Sequence, residues 1–158
     1  MTWEVPVEVA ESPIHGTGVF ARTWIPKGTL VWKFDPTMVV CERDDIVSYD
    51  KVTRDKALLG GFFHEPSGKF VWYEDGMDYV NHADTPFANI AAKGWTPLEQ
   101  DANYATRDIA PGEELFEDYS FWTIFNLAPD HWLRELYLRY CPQHYFFLQS
   151  LGEIREAA

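Results

Sequence analysis

Cysteine is scarce: the 158 residues hold two, Cys41 and Cys141. Two thiols so far apart make neither a disulfide framework nor a zinc quartet, so both read as ordinary thiols and no metal is expected. Basic residues are outnumbered too, 13 Lys and Arg against 25 Asp and Glu, for a formal charge of −12. A partner gripped through its phosphates needs a basic face from which counterions are released, so direct nucleic-acid binding is not expected. A cationic partner suits the charge better. Long apolar runs are missing as well, none approaching the ~20 residues of a membrane helix. The opening Met-Thr-Trp-Glu-Val-Pro lacks the basic and apolar regions of a signal peptide. The expectation is a soluble cytoplasmic protein without a membrane partner, nuclear if its source is eukaryotic or viral.

What is plentiful is aromatic surface. Seven Trp, 8 Tyr and 11 Phe make 16% of the chain, and 46% is hydrophobic, which excludes disorder and low complexity. The length suits one domain with a short appendage.

Trp3 to Val9 alternates apolar and polar residues, the period of a half-buried strand, and Pro6 marks it as an edge. The turn-rich Ser12-Pro13-Ile14-His15-Gly16-Thr17-Gly18 follows, then Val19-Phe20-Ala21, a turn at Pro26-Lys27-Gly28 and an apolar run from Leu30 to Phe34. Asp44 to Leu59 reads as a helix ended by Gly60-Gly61. Phe62-Phe63 and Phe70 to Tyr73 flank a turn at Glu65-Pro66-Ser67-Gly68 and read as a hairpin. Short strands are expected at Ala88 to Ala92, Asn103 to Arg107 and Glu113 to Phe116. Pro129 to Tyr140 reads as a helix stopped by Pro142. An internal echo runs through this pattern: Ala21, Ile25, Gly28 and Val31 return as Ala105, Ile109, Gly112 and Leu115 at a constant offset of 84 residues. Four positions do not make a repeat architecture, but they predict two similar hairpins in one mostly β domain.

Three segments carry chemistry: His15-Gly16-Thr17-Gly18-Val19-Phe20-Ala21, then Tyr79-Val80-Asn81-His82, then Arg107 to Tyr119, which includes Pro111-Gly112-Glu113-Glu114-Leu115-Phe116-Glu117-Asp118-Tyr119. Each alone is unspecific, a tight turn, a polar pair or a strand end. In this order and spacing they resemble the SET domain of protein lysine methyltransferases, over roughly Val7 to Phe121. The resemblance implies a β-clip of small sheets with a knot-like active site, here with one inserted helix and a C-terminal helix. The expected division is a SET domain over 1–122 and a helical extension over 123–158.

The resemblance also implies the cofactor S-adenosylmethionine and a lysine-rich protein or histone-like tail as substrate. The side-chain amine of a lysine would take the methyl group. His15, Gly16, Thr17, Gly18, Tyr79, Asn81 and His82 are then cofactor-binding, since a Gly-x-Gly loop lets backbone groups approach a polar ligand closely. Tyr119 is the catalytic candidate, and Phe116, Glu117, Tyr119 and Trp122 line the substrate channel. In-line displacement by a lysine amine depends on positioning and on desolvation that keeps the amine neutral.

Two departures from the family pattern stand out. Glu117 occupies a position that is usually aromatic, and an inward ionised carboxylate there would favour the ammonium form of the substrate. Glu117 is therefore expected to point outward, to be protonated or to bind a basic group. After Asn81-His82 the family continues Ser-Cys-x-Pro-Asn, whereas this chain has Ala83-Asp84-Thr85-Pro86-Phe87-Ala88-Asn89, so either two residues are inserted or Asn89 is not the equivalent. These departures keep a second reading open, a non-catalytic SET-like module for a basic partner. A third is a non-haem iron oxygenase built on His82-Ala83-Asp84 with His131 or His144 as the remaining ligand. It is disfavoured because both histidines fall in or just after a predicted helix.

Overall fold

The computed structural model describes residues 2–34, 38–92, 102–121 and 124–157, with the backbone alone at 66 and 154–157. Among these the order is β1 (Val7–Glu11), β2 (Thr17–Ala21), β3 (Leu30–Lys33), β4 (Val39–Cys41), α1 (Arg43–Ser48), α2 (Lys51–Gly60), β5 (Phe62–His64), β6 (Lys69–Trp72), β7 (Asn81–His82), β8 (Ile90–Ala92), β9 (Ala102–Ala105), β10 (Phe116–Glu117), α3 (Trp132–Tyr140) and α4 (Pro142–Ala157). Two compact units emerge, the first from Met1–Thr37 and Glu74–Asp118, the second from Met38–Tyr73 and Tyr119–Ala158.

In the first unit β1 and β2 pair antiparallel, with Val9 opposite Val19 and Glu11 opposite Thr17. The alternation that begins at Trp3 becomes a strand only at Val7. Pro6 has no N–H to give a ladder; its carbonyl accepts from Arg22 instead, and Trp3 makes an isolated bridge to Trp32. β3, β9 and β8 form an antiparallel sheet, and β7 and β10 pair in parallel.

The internal echo is a local two-fold relation. Ile25 and Ile109 exchange both backbone hydrogen bonds at 2.9 Å. Gly28 N–H donates to Ala105 O and Gly112 N–H to Ala21 O, at 2.8 and 2.7 Å. Ala21 N–H donates to Glu113 O and Ala105 N–H to Thr29 O, both at 2.9 Å. Every bond has its mate 84 residues away. Gly28 and Gly112 take matching positive φ of 86° and 83°, a conformation that glycine adopts without steric cost. Ile25 and Ile109 are 1% and 0% exposed, so each contributes roughly 1.5–3 kcal/mol of burial. The second turn is further pinned by Glu113, whose carboxylate accepts from Ala110 N–H and pairs with Arg107. Burial works against that carboxylate, and the two donors hold its pKa below the ordinary value.

In the second unit β4, β6 and β5 form an antiparallel sheet. The expected hairpin is present, with Gly68 left-handed at φ 67°. The single helix expected over 44–59 is two. Asp50 accepts from Thr53 N–H at 2.8 Å and so caps a new helix, a stronger instruction than the apolar spacing running through it. Gly61 closes α2; a Cβ there would lie 2.6 Å from Val71 O. The tail differs from expectation in the same way. His131 caps α3 through its ring nitrogen, which accepts from Leu133 N–H. Pro142, expected only as a stop, is the first residue of α4, where its missing N–H costs nothing. A core of Ile46, Leu58, Phe70, Leu133, Leu136 and Tyr137, among others, holds helices and sheet together.

Candidate active site

In the first unit the side chain of Asn81 joins three segments of the chain. The pairing of β7 with β10, Asn81 opposite Phe116 and Glu117's backbone beside His82, carries it to the loop before β2. Its amide nitrogen Nδ2 donates to the carbonyls of His15 at 3.0 Å and Thr17 at 3.2 Å, and to Glu114 Oε1 at 2.9 Å. An amide has two N–H donors, so with three acceptors one of its protons is shared between two of them. The reverse orientation would set the amide oxygen against two carbonyls and a carboxylate, so the partners fix which way the group faces.

Glu114 is only 6% exposed, and its second oxygen is also occupied: Ser12 Oγ donates to Oε2 at 2.9 Å. Ser12 Oγ in turn accepts from the N–H groups of Ile14 and His15, and Ser12 N–H donates to Gly16 O at 2.8 Å. One buried carboxylate thereby fastens the loop at its base and holds Asn81 against its rim.

The two glycines of this loop serve different ends. Gly16 is exposed with φ 48° and nothing within 4 Å of a built Cβ; its backbone conformation requires glycine, and the space above it is open. Gly18 is buried, and a Cβ there would meet Glu114 Oε1 at 2.2 Å and Ser12 Cβ at 3.1 Å. The close approach expected of a Gly-x-Gly loop is, at Gly18, an approach of the Glu114 carboxylate.

Of the other residues read from the sequence, Tyr79 ends a 3-10 turn and is 44% exposed. His82 Nε2 lies 2.9 Å from Asp84 Oδ1. Asp118 Oδ2 accepts from both the N–H and the hydroxyl of Thr85, and His82, Asp84 and Asp118 bring one ligand atom each within 4.8 Å of one another. That is one imidazole and two carboxylates, not the two-imidazole facial set of the iron-oxygenase reading. His131 and His144 are engaged inside the second unit, one capping α3 and the other stacked on Tyr137.

Phe116 is half-buried. Glu117 is 6% exposed, so of the three alternatives stated for it the outward one drops out and the protonated and base-binding ones stay: the pairing of β10 with β7 leaves Phe116 half out and turns Glu117 in. Asn89 is fully buried and braces the same strand, its amide donating to Glu114 O and accepting from Phe116 N–H, both at 2.8 Å. The residues before it form a turn that leaves Phe87 72% exposed. Tyr119 begins a 3-10 turn of the second unit and packs on that unit's core. Trp122 lies outside the described residues.

Sequence reading missed Ser12 and Glu114. The signal for Glu114 was present in the doubled Glu113-Glu114 before an apolar strand, where one carboxylate braces the turn and the next points inward.

Comparison with known proteins bears on the fold and the family. The family model described as the SET domain matches residues 16–120. No curated protein matches the chain significantly. Among solved structures, the Polycomb Repressive Complex 2 of Chaetomium thermophilum in an apo, autoinhibited state superposes with TM-score 0.57 at 26% identity, over 77% of this chain and 16% of that one. An autoinhibited form of the same complex bound to S-adenosylmethionine gives TM-score 0.54 at 27% identity, over 73% and 15%. A Plasmodium falciparum protein described as a histone methyltransferase shares the fold at TM-score 0.51 and 15% identity, over 73% and 94%. The chain thus spans about a sixth of the length of the Chaetomium chains it matches.

Proposed function

Because the chain belongs to the SET-domain family, we propose that it transfers a methyl group from S-adenosylmethionine to the side-chain amine of a lysine in a basic protein or peptide. The observation that carries this reading is the meeting of the His15 and Thr17 carbonyls with the Asn81 amide beside the open face of Gly16. Two carbonyls and an amide oxygen are acceptors suited to an ammonium group, such as the one on the amino-acid end of this cofactor. The cofactor, when bound, supplies an electrophilic methyl group on a sulfonium.

The chain's own residues bind and orient. The loop from Ser12 to Gly18 and Asn81 hold the amino-acid end, and the β7 backbone at His82 holds the adenine. Tyr119 orients the attacking amine through its hydroxyl. The amine must arrive neutral, since an ammonium has no lone pair; a dry channel lowers its pKa toward that state. Phe116 and Glu117 are the channel residues that the first unit supplies in this reading. The chain's −12 charge favours encounter with a lysine-rich segment.

The test is mass spectrometry of lysine-rich peptides and histone-like proteins incubated with the purified protein and S-adenosylmethionine. The expected product is methylated lysine, lost by at least about a hundredfold in rate in Tyr119→Phe, with a changed number of methyl groups in Glu117→Phe. Cofactor binding without transfer to any basic protein would instead support the non-catalytic module. An unaltered product pattern in Glu117→Phe would take that residue out of the channel.

A further inference from the structure

Asn81 uses one NH2 group for three acceptors, and the three are not equivalent. Two are the carbonyls of His15 and Thr17, on the loop that borders the open space at Gly16; the third is the buried carboxylate of Glu114. We propose that Glu114 is a positioning residue for the cofactor: it keeps the Asn81 NH2 bonded while the two carbonyls change partner from Asn81 to the ligand's ammonium. This rests on the functional reading above and deepens it.

The argument is one of hydrogen-bond accounting. An ammonium is a donor with no acceptor capacity, so it competes with Asn81 Nδ2 for the carbonyls. Without Glu114 the displaced NH2 would be left facing partly buried protein with no acceptor, at a cost comparable to the bond gained. With Glu114 the exchange leaves no donor orphaned. A carboxylate has no donor of its own when ionised, so it also holds the amide in the orientation that turns Oδ1 away from the cluster, toward a donor arriving from outside. Ser12, bonded to the other carboxylate oxygen, keeps Glu114 from following the ligand. Glutamine in place of Glu114 would fit the same space yet lose this one-way preference, because its amide presents NH2 as readily as oxygen.

The test is a double-mutant cycle on S-adenosylmethionine affinity, using wild type, Glu114→Gln, Asn81→Ala and the double variant, with thermal unfolding run alongside. The expected result is affinity about tenfold weaker in Glu114→Gln, and a double variant within about twofold of Asn81→Ala alone, since Glu114 acts through Asn81. Wild-type affinity in Glu114→Gln, or the same loss recurring in the Asn81→Ala background, overturns the proposal and leaves Glu114 a structural residue. A wild-type protein that does not bind the cofactor contradicts the functional reading itself and this inference with it. If Glu114→Gln does not fold, the wild type still decides. The Asn81 side-chain NH2, followed by 15N NMR during titration, is expected to stay slowly exchanging in the complex, and loss of that protection contradicts the proposal.

Discussion

At the scale of single residues, Gly16 and Gly18 look alike in the sequence and are opposite in the structure. Gly16 needs glycine for its φ of 48° and nothing lies within 4 Å of a Cβ built on it, whereas Gly18 has a Glu114 oxygen where its Cβ would be. Gly16→Ala is therefore expected to cost about 1 kcal/mol of unfolding free energy, the penalty of a left-handed alanine. Gly18→Ala is expected to cost about 2–3 kcal/mol, because a buried, doubly bonded carboxylate must move. Urea denaturation of the two variants checks this, and equal costs would contradict the geometry. Asn81 and the glycine loop were legible from the sequence because a short polar side chain and two glycines at family spacing announce themselves. Glu114 was not, because its meaning lies in contacts to Asn81, 33 residues away, and Ser12, 102 residues away. The direction of Glu117 was left among three alternatives for a related reason: strand alternation tells that neighbours face opposite ways, not which of them faces in.

Among the elements, the two hairpins related by the 84-residue offset were legible, since a proline-glycine turn and an isoleucine at fixed spacing recur in both copies. The helices over 44–59 and 129–140 were legible in place, but not the division of the first into two nor α4 beyond the expected stop at Pro142. Asp50 and Pro142 each look like interruptions of an apolar pattern, and each is the start of a new helix. In α4, His144 stacks on Tyr137 with ring centroids 5.8 Å apart, and burial pushes its pKa down to about 4. The folded state then prefers neutral His144, while the unfolded chain takes up its proton near pH 6.5. The stabilisation is complete above that pH and is lost as pH falls from about 6.5 toward about 4. The loss amounts to a few kcal/mol at most. His144→Phe, which keeps the ring contact, is expected to flatten stability across that window relative to wild type, as measured by chemical denaturation at a series of pH values. An unchanged slope would mean that His144 is solvated when charged.

At the scale of the whole molecule, what the sequence conceals is that chain order and compactness do not coincide: residues 38–73 share a unit with 119–158, and 74–118 share one with the N-terminal strands. Hydrophobic pattern reports which face of an element is buried, not which distant segment buries it. The −12 charge argues for a basic partner over a nucleic acid gripped through its phosphates. The order of the three motifs then supplied the family. The central claim, a cofactor pocket built from the Ser12–Gly18 loop and Asn81, is tested most directly by calorimetric titration of the purified protein with S-adenosylmethionine, repeated with Asn81→Ala and Tyr119→Phe. The account predicts saturable one-to-one binding, weakened at least about tenfold in Asn81→Ala and largely kept in Tyr119→Phe. Absence of binding in the wild type, or binding indifferent to Asn81, would contradict it.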